Sequence, residues 1–198
     1  MRTSNPDFRP LVTAGRRLLA LVLLLGISLP WAAAQAGASH ALLERAAAAH
    51  WIAQGEGQRV VYVIFDPNCP YCHVVYQESQ AHLKGFQFRW IPVGVLTPSS
   101  PGKAAALLAA KDPLAALRQN EDNFVRARGK LGGIAPLQTI SAATAGELQD
   151  NLMLLQATGM RVVPKLLYLR RNGEVRLIEG ALNAADFSSM LQDVAGKS

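Results

Sequence analysis

Both cysteines of the 198-residue chain fall in one stretch, Phe65-Asp-Pro-Asn-Cys69-Pro-Tyr-Cys72-His73. Two thiols three residues apart, with a histidine next, admit three chemistries: covalent haem attachment, half of a zinc site, or a redox-active thiol pair. Haem attachment would bond both thiols to the macrocycle and put His73 on the iron, with Met153, Met160 or Met190 as a sixth ligand. The motif matches literally, yet it follows an apolar strand in a chain that does not read as a small helical wrap around a haem. A structural zinc site needs four ligands, usually two spaced pairs, and no second Cys pair exists. His73 and His82 are the nearby donors, and His40 and His50 lie upstream, each of them readable as an ordinary helix residue.

The redox reading explains more. A disulfide closing so small a loop removes little entropy from the unfolded chain and would be a poor staple. At a strand-to-helix junction it has a chemical use instead. With Asn68 as the expected N-cap, Cys69 sits in the first helical turn, where unpaired backbone N–H groups and the helix dipole stabilise a thiolate. Cys72, one turn further on, can attack a mixed disulfide formed by Cys69 and release the partner. Cys69 is then the nucleophile and Cys72 the resolving thiol, with Pro70 and Tyr71 between them. No metal or organic cofactor is called for.

The compartment must allow such chemistry. Arg16-Arg17 precede an apolar run, Leu18–Leu29, that is too short to span a bilayer, and Ala34-Gln-Ala36 offers a small-x-small cleavage site. Residues 1–36 therefore read as a secretory signal peptide, and the mature protein as periplasmic, in a disulfide-permissive space. That segment holds four of the 20 basic and one of the 14 acidic residues, so the formal charge falls from +6 to +3 without it. No Lys/Arg block with interleaved aromatics remains, which argues against nucleic acid as a partner.

The elements that must position the thiols form an α/β pattern. A helix is expected over roughly 41–53, within an N-terminal linker of residues 37–57, and residues 58–198 are expected to be the catalytic domain. Arg59–Phe65 is a β-branched, apolar run suited to a strand covered on both faces. Residues 70–84 have helical spacing, with Gly85 as a C-cap; 86–93 read as a second strand, 98–102 as a loop, 103–128 as helix broken at Pro113, and 144–157 as helix. Residues 165–170 and 174–179 flank an Asn172-Gly173 turn, a hairpin signal, before a terminal helix. Pro164 opens the first hairpin strand. Taken alone, it reads as an ordinary strand-start proline.

Several stretches resemble one known family: His50-Trp-Ile-Ala-Gln-Gly55, Val61-Tyr-Val-Ile-Phe-Asp-Pro-Asn-Cys-Pro-Tyr-Cys72, Pro92-Val-Gly-Val95 and Lys103-Ala-Ala-Ala-Leu-Leu-Ala-Ala-Lys-Asp-Pro113. They are similar to the catalytic domain of the periplasmic DsbC/DsbG thiol:disulfide interchange proteins, and the likeness runs over about 41–195. It implies a thioredoxin-like sheet flanked by helices, with a helical insertion between the Cys-x-x-Cys half and the proline half. It also implies Cys69 as nucleophile, Cys72 as its partner and Pro164 as a cis-proline facing them, with exported cysteine-containing proteins as substrates and a membrane redox partner of the DsbD type. Two departures stand out. Val163 occupies the place before the cis-proline where this family usually has threonine, and few residues separate Ala36 from Ala41 where the family carries a dimerisation domain. The expectation is accordingly a monomer in which reduction or oxidation outruns reshuffling.

Overall fold

The computed structural model describes residues 36–125, 131–159 and 162–196. The chain divides into two compact units, Met1–Ala38 and Ser39–Ser198. The signal-peptide expectation lies outside the described residues except at its last position, and Met160 lies outside them too. Among the described residues a mixed five-stranded sheet of order β1-β3-β2-β4-β5 is flanked by six helices, an α/β architecture of the kind the resemblance implies.

Helix α1, residues 36–48, ends earlier than expected, and Ile52–Gln54 is a strand, β1, on the sheet edge. Three residues are too few to display a period of two. Tertiary pairing decides here: β1 runs antiparallel to β3 (Phe86–Pro92), and the buried Gln54 amide accepts a hydrogen bond from the Trp90 indole at 2.9 Å.

Central strand β2 (Arg59–Phe65) pairs parallel with β3 and antiparallel with β4 (Lys165–Leu169), which continues through the Gly173 turn into β5 (Val175–Glu179). Neighbours on both edges and helices on both faces explain why Val61 to Phe65 are buried without alternation. One face meets α2 (Pro70–Ser79) and α6 (Ala184–Asp193), where Phe65 and Tyr76 lie against Trp90 and Phe187 stacks on Phe88. On the other face Arg89 lies 4.3 Å over the Trp51 ring, just beyond α1.

Helix α2 stops at Ser79 and passes into a 3-10 turn, Gln80–His82, rather than running on to Gly85. Of the stretch expected as a loop, 98–99 are a turn but 100–102 already belong to α3 (Ser100–Leu108), because Pro101 in the first turn gives up an N–H that would go unpaired anyway. Pro113 does the same at the start of α4 (Pro113–Asp122), capped by Asp112. The last internal helix, α5 (Ala142–Ala157), starts on the Ser141 cap.

Asn151 of α5 is fully buried and ties three backbone groups together. Its amide donates to the carbonyls of His50 (2.9 Å) and Pro92 (3.0 Å), and its oxygen accepts from the His50 N–H (3.0 Å). Asn151→Ala would leave these groups buried and unpaired, so we expect a loss of about 2–4 kcal/mol in denaturant unfolding, with the fold otherwise retained.

Candidate active site

Strand β2 delivers the chain to Asp66, whose carboxylate is wholly buried and accepts four hydrogen bonds. Oδ1 takes the Asn68 N–H (2.9 Å) and the Ser100 hydroxyl (2.8 Å); Oδ2 takes the N–H groups of Val95 (2.7 Å) and Leu96 (2.9 Å). The two ends of the parallel β2–β3 pair are thus fastened to each other and to α3.

Asn68 does not cap α2. Its amide nitrogen faces the hydroxyls of Thr97, Ser99 and Ser100 at 2.7, 3.0 and 3.2 Å, and its oxygen accepts from Lys103 Nζ (2.9 Å) and the Gly132 N–H (3.1 Å). Lys103, buried in α3, also donates to the Gly132 carbonyl at 2.6 Å. Burial lowers its pKa, and the Asp66 charge partly offsets that. Gly132 must be glycine, since a Cβ there would sit 2.1 Å from Asn120 Oδ1 and 2.2 Å from the Pro67 carbonyl.

With the Asn68 side chain occupied elsewhere, Cys69 itself is the N-cap. Its backbone is extended (φ −85°, ψ 115°), Pro70 follows at the first helical position, and Sγ accepts from the Cys72 N–H at 3.2 Å. The expectation of Cys69 inside the first turn is corrected by one residue, with the reason for a thiolate kept: the sulfur lies among the orphan amides of a helix start. A hydrogen bond from the Cys72 side chain is the main cause holding the Cys69 pKa below the ordinary thiol value. Burial works against it, the Cys72 and Tyr71 N–H groups add to it, and the Asp66 charge opposes it. Cys72 is pushed the other way, well above the ordinary value, first by burial and then by its neighbour Cys69. Both are free thiols, 2% and 1% exposed, whereas Tyr71 between them is 67% exposed.

The Val163–Pro164 peptide is cis. The Val163 carbonyl oxygen lies 3.7 Å from Cys69 Sγ, within reach of the thiol as a donor, and Gly180, at φ +83°, donates its N–H to the Pro164 carbonyl at 2.9 Å. The structure therefore brings Cys69, Cys72, Val163 and Pro164 together. What Val163 turns to the sulfur is its main chain.

The other sequence candidates lie apart from the thiols or are engaged elsewhere. His73 Nδ1 is 2.9 Å from the Glu121 carboxylate, and its ring stacks on Phe124. His50 pairs with Asp150, and His82 packs against Phe86 and Phe187. Among the described residues no cluster of His, Cys, Asp and Glu is arranged to hold a metal ion. Sequence reasoning passed over Asp66, Lys103, Asn120 and Glu121. An aspartate ending an apolar strand and a lysine inside an alanine-rich helix were signals of a sort; Glu121 offered none.

A family model described as a thioredoxin-like domain matches residues 47–195. The chain is 37% identical over 135 residues to the thiol:disulfide interchange protein DsbG of Pseudomonas aeruginosa, and 32% identical over 149 residues to that of Escherichia coli. These matches cover 66% and 73% of this chain but 51% and 58% of the relatives, so the chain spans little more than half their length. The solved catalytic domain of Proteus mirabilis ScsC superposes with a TM-score of 0.57 at 17% identity, covering 78% of this chain and 96% of that one, a likeness of fold.

The opposed settings of the two thiols give a pH signature. The lowered Cys69 pKa stabilises the reduced fold fully above the unfolded-state thiol pKa, and the contribution disappears as pH falls through the folded-state value. Carbamidomethylation of Cys69 should accordingly titrate below the ordinary thiol range while Cys72 stays unmodified, as peptide mapping after timed quenching would show. Asp66→Asn removes the charge that opposes the thiolate, so the Cys69 inflection should move lower still. The same change turns an NH2 toward N–H donors and should cost about 2–3 kcal/mol in unfolding experiments.

Proposed function

The chain belongs to the thioredoxin-like family, and we propose that it works as a periplasmic thiol:disulfide oxidoreductase of the DsbG kind. The observation that carries this reading is the unequal pair of thiols at the start of α2, one with sulfur acceptor bonds and a lowered pKa, the other buried and held protonated. Cys69 is the nucleophile, Cys72 the resolving thiol, Pro164 the cis-proline opposite them and Val163 its neighbour. The reacting groups are the protein's own cysteines, with no further cofactor.

The steps follow from thiol chemistry. The Cys69 thiolate attacks one sulfur of a substrate disulfide, forming a mixed disulfide and expelling the other substrate sulfur as a thiolate. Cys72, once deprotonated, attacks Cys69 Sγ. The Cys69–Cys72 bond forms, the bond to substrate breaks, and the released sulfur takes a proton from water. The substrate is reduced by two electrons and the pair is oxidised; run backward, the same steps oxidise a substrate.

Exported proteins with cysteines fit this site as substrates. Tyr71, Leu96 and Val162 are exposed apolar side chains. Each lies at or next to a segment that holds the thiols: the motif itself, the loop fastened to Asp66, and the residue before Val163. A DsbD-type membrane partner, removal of residues 1–36 on export and a monomeric state belong to the same proposal.

Cys72→Ala tests it directly, since a nucleophile without its resolving partner should accumulate mixed disulfides through Cys69 with periplasmic proteins, visible on non-reducing gels. An empty gel would defeat the assignment. The carbonyl of Val163 is what meets Cys69 Sγ, so Val163→Thr tests whether a side-chain hydroxyl at this position reaches the sulfur as well: if it does, the Cys69 pKa falls and the pair's potential against glutathione shifts. An unmoved titration would put that side chain away from the thiols.

A further inference from the structure

Arg89 has no part in the proposed thiol chemistry, yet it is held in place from several sides. It stands in β3 opposite Tyr62 of β2. Its neighbour Trp90 packs on Tyr76 of α2, so by strand alternation Arg89 points to the other face of the sheet. Nε donates to the Gln87 side-chain oxygen at 2.8 Å and Nη1 to the Tyr62 hydroxyl at 2.8 Å, while the guanidinium lies 4.3 Å over the Trp51 ring. These contacts fix the group without neutralising it. Among the described residues no carboxylate pairs with Arg89 and Nη2 meets no acceptor, and the Tyr62 hydroxyl, which accepts from Arg89, donates to none.

Both side chains line one cavity of about 340 Å³. That volume falls at the lower end of the range of small-molecule sites, about 300–1,000 Å³. Much of the remaining wall is apolar, with Leu43 and Ala47 from α1, Val60 from β2 and Leu169 from β4. Among the described residues Glu44 is the one other charged side chain of the lining; it is exposed and makes no ion pair with Arg89. A half-buried cation beside an apolar wall has given up part of its hydration, and a bound anion would restore what it lost. The planar guanidinium matches a carboxylate in shape as well as charge, and the phenol O–H supplies a second kind of donor.

We propose that this cavity binds a small aliphatic monocarboxylate, with its head on Arg89 and Tyr62 and its chain along Leu43, Ala47, Val60 and Leu169. One uncompensated cation matches one negative charge, so a carboxylate suits the site where a phosphate dianion would stay half-neutralised. The apolar wall adds a second requirement, because a head group without a chain leaves that surface uncovered. The wall is built from α1 as well as from the sheet, so the ligand clamps α1 onto β2 and β3. The thiols lie elsewhere: Val60 is near the start of β2, whereas Cys69 follows its end, and the two sites use opposite faces of the sheet. Binding is therefore independent of the thiol assignment.

Isothermal titration calorimetry of the purified protein with octanoate, octanol and acetate tests each requirement. Octanoate should bind saturably. Octanol, with the chain but no charge, should bind at least about tenfold more weakly, as a lost charge-assisted hydrogen bond implies, and acetate, with the charge but no chain, should be weaker than octanoate by a similar factor. Arg89→Met removes the cation while keeping an unbranched side chain over Trp51, and should weaken octanoate by about tenfold or more with octanol unchanged. Glu44→Gln, on the exposed side of α1, removes the competing negative charge and should tighten octanoate about twofold. Absence of saturable octanoate binding overturns the proposal, as does equal affinity for octanoate and octanol or full octanoate affinity in Arg89→Met. Acetate binding as well as octanoate would reduce the site to a bare anion contact and overturns it too. Should Arg89→Met fail to fold, the three ligands on the unmodified protein and the Glu44→Gln titration still decide, and an octanoate affinity that falls in Glu44→Gln counts against the site.

Discussion

The site is organised around one buried carboxylate. Asp66 leaves water at the end of the central strand, and an ionised group can do so only if its lone pairs are met by donors. Its four donors come from three places in the chain: the turn before Cys69, the loop after β3, and the start of α3. Satisfying that charge fixes where the parallel strand pair ends and where α2 begins, and it brings the α3 hydroxyls against Asn68. Lys103 and Gly132 extend the same network into the helical insertion. The insertion is therefore more than a decoration on the sheet, because it carries the partners of residues 66–68.

This explains what was legible in the sequence. The central strand, the helix after the cysteines, the Asn-Gly hairpin and the lower pKa of the first thiol follow from local rules: apolar runs, orphan amides at a helix start, and turn chemistry. The cis Val163–Pro164 peptide was expected only through family likeness, since a strand-start proline satisfies every local rule equally well. β1 was missed because three residues carry no pattern. Asn68 was misplaced as the cap because asparagine is a good cap in isolation; only the folded chain reveals five other partners competing for its side chain. Glu121 could not have been found at all, since a glutamate near the end of a polar helix reads as a solvated residue until tertiary packing covers it.

The two thiols sit less than one helical turn apart yet titrate in opposite directions, and the cause is geometric. Cys69, at the cap, has main-chain N–H groups that no carbonyl claims. Cys72 lies within the helix and is fully buried, and burial together with the neighbouring Cys69 outweighs the one main-chain donor that works against them, the Asp66 N–H. Pro70 and Tyr71 stand between the two sulfurs. Their part is different: proline gives up an N–H at the first helical position, and tyrosine leaves an aromatic ring in water beside the sulfur.

On the proposed assignment, the same geometry bears on the direction of electron flow. Whatever stabilises the Cys69 thiolate stabilises the reduced pair and makes the disulfide a stronger oxidant; whatever opposes it makes the dithiol a stronger reductant. The helix-start amides and the Cys72 hydrogen bond pull toward oxidation. Burial and the Asp66 charge pull back. The same carboxylate that opposes the thiolate also holds the turn through its four hydrogen bonds, so relieving the one weakens the other. The main-chain carbonyl of Val163 adds an acceptor facing the sulfur, which favours the protonated thiol over the thiolate. A site built this way restrains its own nucleophile: the groups that hold Cys69 in place also keep its thiolate from becoming too stable to attack.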